Sequence, residues 1–464
     1  MNKTKTTKRA LLSSVLVMLI CIAMLIGTTF AWFTDSASTA VNKIQAGTLE
    51  VQLLAEDGTS LEGQTLSWQK ASGAENEDVL WEPGCTYNLQ SFKIKNNGNL
   101  ALKYKIVITG IRGDAELNDV IEWTINDTAL DVDHPLAAGA SDTLTISGHM
   151  KEDAGNEYQG LSIDGIGITV VATQDTVESD SFGNDYDANA EYPVPVSSVS
   201  DIKDALANGI GNIVLASDIT VDDPYLHIGK DVSIDFNGNT LRGSIISTGN
   251  IFDSPNNLVL SDPNNNGEYS IYSKIYGIEN GNGQAAAIIA THTTVTIESG
   301  KYTNDNAVIF CQTFDPEAVN VMINGGTFDG QGAASVIVNI SGNVIINDGE
   351  FNAYHDGERY GACVQVEPYI PHVPSITTIN GGTFNADKSI FYLNVDTNYI
   401  QRIIVNGGTF NVAEGGKLIE VSSGNASDYL TITGGTFNVD PTAYVDTANY
   451  NVTQSGSTWT VTAK

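Results

Sequence analysis

A repeat in the C-terminal half constrains this chain more than any other feature. Val295-Thr296-Ile297-Glu298-Ser299-Gly300-Lys301-Tyr302 recurs as Val321-Met322-Ile323-Asn324-Gly325-Gly326-Thr327-Phe328, and again at 344–351, 377–384, 403–410 and 430–437. Each unit has alternating aliphatics, then Asn-Gly-Gly or a variant, then an aromatic two residues beyond the second glycine. The aromatic positions are 302, 328, 351, 384, 410 and 437, a series of unequal but similar steps. One unit is too small to bury its own apolar side chains, so copies must stack, with insertions lengthening some coils.

Stacking gives equivalent positions a common environment. The position four before the aromatic holds Glu298, Asn324, Asn347, Asn380, Asn406 and Thr433, which can hydrogen-bond from coil to coil as a ladder. The residue after the aromatic is Asn352, Asn385, Asn411 and Asn438 in the later units, a second ladder. The glycines turn a corner where a side chain would clash. Between units lie further strand-like runs such as Ala307-Val308-Ile309-Phe310 and Ser389-Ile390-Phe391-Tyr392-Leu393, and weaker rungs occur at 213–215, 232–236 and 258–260. These patterns predict a parallel β-helix over 199–464. A short helix with Ser200 as N-cap and Gly209 past its end is expected to cover the first coil. A hairpin around Ser455-Gly456 is expected to close the last.

The first half reads differently. Residues 1–31 have the form of a cleavable signal peptide: Lys3, Lys5, Lys8 and Arg9, an apolar run from Leu11 to Ile26, and a small-residue site that places the cut between Ala31 and Trp32. The run is short against the roughly 20 residues that span a bilayer. From 32 to 176, segments such as Leu102-Lys103-Tyr104-Lys105-Ile106-Val107-Ile108 alternate apolar and polar residues, the pattern of half-buried strands in a sandwich or jelly roll. Asn96-Asn97-Gly98-Asn99 is turn chemistry between two of them. Residues 177–198, acidic and then proline-bearing at Pro193 and Pro195, read as a linker without the spacing of an EF-hand loop.

Composition narrows the function classes. With 55 acidic against 22 basic residues and a formal net charge of -33, the chain repels nucleic acid. No cofactor is expected beyond calcium held adventitiously by the acidic surface. Of the four cysteines, Cys21 leaves with the signal. Cys85, Cys311 and Cys363 form neither a disulfide framework nor a zinc motif. Cys311 and Cys363 are expected in rungs separated by one intervening coil, about 9.6 Å at β spacing, which is too far for a disulfide. None of His134, His149, His227, His292, His355 and His372 makes His-Glu-x-x-His, so no zinc hydrolase is expected. Asp222-Asp223 beside Pro224 reads as a solvated turn.

Two resemblances follow. The segment Gly27-Thr28-Thr29-Phe30-Ala31-Trp32-Phe33-Thr34-Asp35 is similar to the signal-peptide end of substrates of the SipW-type signal peptidase. With Ala46-Gly47-Thr48-Leu49, Leu80-Trp81-Glu82-Pro83-Gly84, Lys95-Asn96-Asn97-Gly98-Asn99-Leu100-Ala101 and Asn156-Glu157-Tyr158-Gln159-Gly160, it resembles the TasA/camelysin family over about residues 1–176. That resemblance implies secretion by a Gram-positive bacterium, a jelly-roll domain and assembly into biofilm matrix fibres. The freed N-terminal segment, with Trp32, Phe33, Val41 and Ile44, would then add as a strand to another copy or to a TasA-like fibre subunit. The alternative is that this segment packs on its own domain.

The repeat region resembles pectate-lyase-like right-handed β-helices, which implies extracellular polysaccharide as a partner. The Asn-Thr-Asp, Gly-His-Gly and Arg-Ile-Lys signatures of the polygalacturonase branch are absent, and no catalytic residue is assigned. The longest insertion supplies a candidate ligand surface of His355, Asp356, Arg359, Tyr360, Tyr369 and His372, with a plain polar loop as the other reading. The expectation is a secreted, all-β structural or adhesive protein of the matrix or cell surface, with a carbohydrate-binding or polysaccharide-cleaving protein as the alternative.

Overall fold

The computed structural model describes Leu49 to Lys464, apart from 62–65, 71–78, 131, 176–191, 222–224, 249–255, 264, 266, 274–285, 313–319, 331–334, 355–360 and 369–372. Two β architectures follow one another along this stretch.

The first is antiparallel. Val51–Ala55 pairs with Phe92–Asn96, which pairs with Ser141–Leu144. The chain of that last strand continues as Ile146–Met150, which joins Thr86–Asn88 and Ile121–Ile125 in a second sheet. The long strands Leu102–Gly113 and Ile163–Gln174 pair with each other and form a third with His134–Leu136. Alternation decides what lies inside: Phe92, Ile94, Leu102, Tyr104, Ile106, Leu144 and Ile146 are buried together, and the residues between them face outward. A smaller cluster gathers Leu117, Val120, Ile121 and Met150 with Trp81 and Trp123. A side chain at Gly148 would run into Trp81 at 2.7 Å, so only glycine lets the indole lie on this sheet.

The second architecture is a solenoid of three parallel sheets, with each coil contributing one strand to each sheet in turn. Among the described residues the first sheet holds 10 strands, from Val194–Val196 to Leu430–Ile432, and the third holds 8, from Leu226–Ile228 to Lys417–Val421. The second begins at Ile219–Thr220 and ends with Gly435–Phe437 and an antiparallel hairpin, Tyr450–Ser455 and Thr458–Ala463. The repeat pattern revealed two strands per coil. The third was hidden in the aromatic: Thr327–Gly330, Glu350–Ala353, Thr383–Ala386 and Thr409–Val412 are strands of only four residues.

The register places like on like. Tyr302, Phe328, Phe351, Phe384, Phe410 and Phe437 occupy one row of the second sheet, all fully buried or nearly so. Their rings stack face to face, with centroids 5.3, 4.9, 4.7, 4.9 and 4.8 Å apart and planes within 13° of each other. Phe236 meets the end of the column edge-on at Tyr302.

The parallel sheet starts earlier than the linker assignment allowed, because Val194–Val196 pairs in register with Ile213, Val214 and Leu215. Pro195 fits there because this is an edge strand with one unpaired side. The helix spans Val199–Ala207, and its N-cap is Ser198, not Ser200: the Ser198 hydroxyl accepts from Asp201 N at 3.1 Å. Ile202, Ala205 and Leu206 are buried in the same core as the first coils. Lys103 and Lys105 of the antiparallel region flank Asp133 at 3.7 and 3.1 Å and lie over the ring of Tyr192, just ahead of the solenoid.

Candidate functional site

The corner between the first and second sheets is built by the Asn-Gly-Gly sequence, and its two glycines have different causes. The second takes a positive φ, +104° at Gly326, +94° at Gly382 and +105° at Gly408, which L side chains resist, and a Cβ there would also lie 2.9, 2.9 and 3.0 Å from a glycine carbonyl of the coil below. The first is forced by proximity: a Cβ on Gly325 would lie 2.8 Å from the Glu298 carbonyl of the coil below, and Gly381, Gly407 and Gly434 are blocked in the same way. Coils therefore approach closely here, and this closeness brings the asparagines into contact.

The predicted ladder exists and has a direction. Asn324 Nδ2 donates to both Glu298 carboxylate oxygens at 3.1 Å. Asn347 donates to Asn324 Oδ1 at 2.8 Å, Asn380 to Asn347 at 2.8 Å, and Asn406 to Asn380 at 2.9 Å. Thr433 ends the series by donating to Asn406 Oδ1 at 2.9 Å. An acceptor-only carboxylate sits at the first rung and a hydroxyl donor at the last, so every interior amide both gives and receives.

The second ladder runs the same way on the outer face of the second sheet, and it too starts from a carboxylate. Asn352 donates to Asp329 Oδ1 at 2.8 Å, Asn385 to Asn352 at 2.8 Å, and Asn411 to Asn385 at 3.0 Å. Asn438 departs from the expected series: its side chain bonds the backbone N–H and C=O of Val412, because the sheet turns antiparallel immediately afterwards.

Asp329 is the residue that the sequence pattern missed. It holds the ladder position in a coil without asparagine there, as Thr303 does in the coil before it, so it breaks the repeat that would have identified it. Only 8% exposed, it also accepts from the Tyr269 hydroxyl at 3.2 Å and faces Lys301 Nζ at 3.8 Å. Asn352 Nδ2 reaches Glu350 Oε1 as well, at 3.3 Å, so the two carboxylates share one donor. Lys301 lies 4.5 Å from the Tyr269 ring centroid, Tyr269 and Tyr272 are 5.8 Å apart, and Arg242 sits 6.0 Å from Tyr272. Tyr354 is 50% exposed nearby. Burial and the carboxylates of Asp329, Asp387 and Glu350 push its phenol pKa up, and burial followed by Asp329 does the same for Tyr269.

This face combines half-exposed aromatic rings, a cation, carboxylates and a regular file of amides and hydroxyls. Rings offer apolar faces to C–H groups, and the polar file offers donors and acceptors at β spacing. The arrangement suits a hydroxyl-rich ligand.

Other expected positions resolve as follows. Ala31, Trp32, Phe33, Val41 and Ile44 lie outside the described residues, as do His355, Asp356, Arg359, Tyr360, Tyr369, His372, Asp222 and Asp223. Cys311 and Cys363 are buried free thiols on different register rows, and burial pushes Cys311 up to about 12 and Cys363 higher still. Cys85 is only half-buried and accepts from Glu82 N at 3.3 Å. His149 pairs with Thr86 and His134 stacks on Tyr104. Among the described residues no group of three or more His, Cys, Asp or Glu side chains is placed to hold a metal ion, and no helix is long and apolar enough to cross a membrane.

No family model, no curated protein and no solved structure matches this chain.

Proposed function

We propose that this is a secreted structural or adhesive protein of a bacterial surface or biofilm matrix, with the solenoid as a stiff arm and no catalytic role. The observation that carries this is the unbroken column of six aromatic rings, flanked by two hydrogen-bonded ladders running in one direction. Such a stack resists bending because each coil is tied to the next by backbone, ring and amide contacts at once. In this reading the antiparallel region is a TasA-like jelly roll, the solenoid winds right-handed with Val199–Ala207 as its cap, and a SipW-type peptidase frees the segment from Trp32. That segment then pairs with another copy or with a fibre subunit. Electron microscopy of the chain with and without 32–46 tests the assembly step.

A second reading, carbohydrate binding, is favoured by Tyr269, Tyr272, Tyr354, Lys301, Asp329 and Glu350 on the second sheet. Binding of extracellular polysaccharide there supports adhesion without chemistry. Glycan-array binding by the intact chain, lost in Tyr272→Ala and Tyr354→Ala, is the expected result. Release of reducing or unsaturated sugar would instead make the protein an enzyme.

A further inference from the structure

The two ends of the solenoid are treated differently. At the N-terminal end, the first strand of the first sheet carries Pro195 and is followed at once by a helix that buries Ile202, Ala205 and Leu206 in the core. The first strand of the second sheet, Ile219–Thr220, is only two residues long. These are devices that keep a sheet edge from pairing. At the C-terminal end, the last strand of the first sheet is bridged by Val445, and that of the third carries Lys417 and Glu420. The second sheet has no such device. It is extended by a hairpin whose outer strand, Tyr450–Ser455, is six residues long, contains no proline, and pairs on one side only among the described residues.

The charge pattern singles out the same strand. No charged residue stands between Asp446 and Lys464, in a chain with 55 acidic and 22 basic residues. Asp446 is engaged locally, accepting from Ala448 N at 3.0 Å and Asn449 Nδ2 at 2.7 Å, and Lys464 Nζ donates to Thr447 O at 2.7 Å. Two copies that repel over most of their surfaces can approach here without that penalty. The side chains of Asn451, Thr453, Gln454 and Ser455 are exposed and polar, so the open edge offers backbone hydrogen bonds rather than an apolar patch.

We infer that Tyr450–Ser455 is a self-association edge that pairs antiparallel with the same strand of a second copy, joining two solenoids tail to tail. Antiparallel pairing of one strand with itself is two-fold symmetric, so a single edge satisfies both partners and closes the contact at a dimer. The interface is small, which makes the dimer weak and reversible. It is independent of any strand addition by the N-terminal segment, and combining the two would cross-link fibres.

The test uses the full secreted chain in a Cys85→Ser background. Single cysteines at Asn451, Thr453 and Ser455 are oxidised and compared with Ser422→Cys, an exposed control elsewhere on the solenoid. The expected result is that at least one strand position forms disulfide dimers about tenfold faster than the control. In sedimentation, the parent chain should show a concentration-dependent dimer that Asn451→Glu/Thr453→Glu abolishes without lowering the melting temperature. Equal cross-linking rates at all sites, or a dimer unchanged in the glutamate variant, would overturn the inference. A dimer that disappears when residues 32–46 are removed would show that the edge receives a different strand, and would also overturn it.

Discussion

Asn380 Nδ2 donates to Asn347 Oδ1 across 2.8 Å, from one coil to the coil before it. The donor always belongs to the later coil, so exchanging an amide for a carboxylate has consequences that depend on position.

Asn380→Asp should remove the donor and place a carboxylate against Asn347 Oδ1. The expected loss, read by urea denaturation, is about 0.5–1.5 kcal/mol near neutral pH, because the rung is solvent-exposed. Below about pH 4 the aspartate binds a proton and can donate again, so much of the loss should return relative to the parent. Glu298→Gln at the first rung should be close to neutral, because glutamine keeps an acceptor for Asn324.

The aromatic column predicts a steep cost for a missing ring. Phe384→Ala removes a fully buried side chain stacked on both faces, and about 3–5 kcal/mol should be lost, visible as a fall in melting temperature. Phe384→Leu should recover part of this.

Gly381 and Gly382 should both resist alanine, for separable reasons. Gly381→Ala drives a methyl into the Asn347 carbonyl, whereas Gly382→Ala meets the strain of φ +94° together with the Gly349 carbonyl 2.9 Å from its Cβ. Each is expected to cost at least about 1 kcal/mol. Gly382→Asn should recover only the part of the loss due to φ, since asparagine tolerates the left-handed region while its Cβ still meets the Gly349 carbonyl. Gly381→Asn should be as damaging as alanine.

Asp235 provides a pH test. Burial, and then the nearby Asp262 carboxylate, raise its pKa to about 6. Asp262 is itself held by Gly238 N, Asn265 Nδ2 and the Ser270 hydroxyl at 2.7, 2.9 and 2.6 Å. A folded pKa above the unfolded value means that the group favours folding when protonated. Its contribution is fully present below about pH 4 and is lost as pH rises through about 6. Asp235→Asn, which can still accept from Asn237 N, should therefore stabilise the chain at pH 7.5 by an amount of order 2 kcal/mol. The gain should vanish at pH 4.

How much could be read from the sequence depended on repetition. The Asn-Gly-Gly-Thr-Phe signature placed the ladder residues and the aromatic row correctly, because stacking forces chemically identical residues into identical environments. Where the pattern changed, legibility fell. Asp329 replaced asparagine, Tyr269 and Tyr272 belong to a coil with a weak signature, and Lys301 stands where most later units have threonine, so the polar face they form was not anticipated. The N-cap slipped from Ser200 to Ser198 because both serines precede the same apolar face, and only the bond from Asp201 N distinguishes them. Asn438 had the right letter but met an antiparallel neighbour, a change of strand direction that single-residue patterns do not encode.

The measurement that bears most directly on the proposed role is electron microscopy of the chain beginning at Trp32 beside a version lacking 32–46, at equal concentration. Filaments from the longer chain, each bearing lateral solenoid rods, and dispersed particles from the shorter one are the expected result. Identical particles from both would contradict a matrix-assembly role.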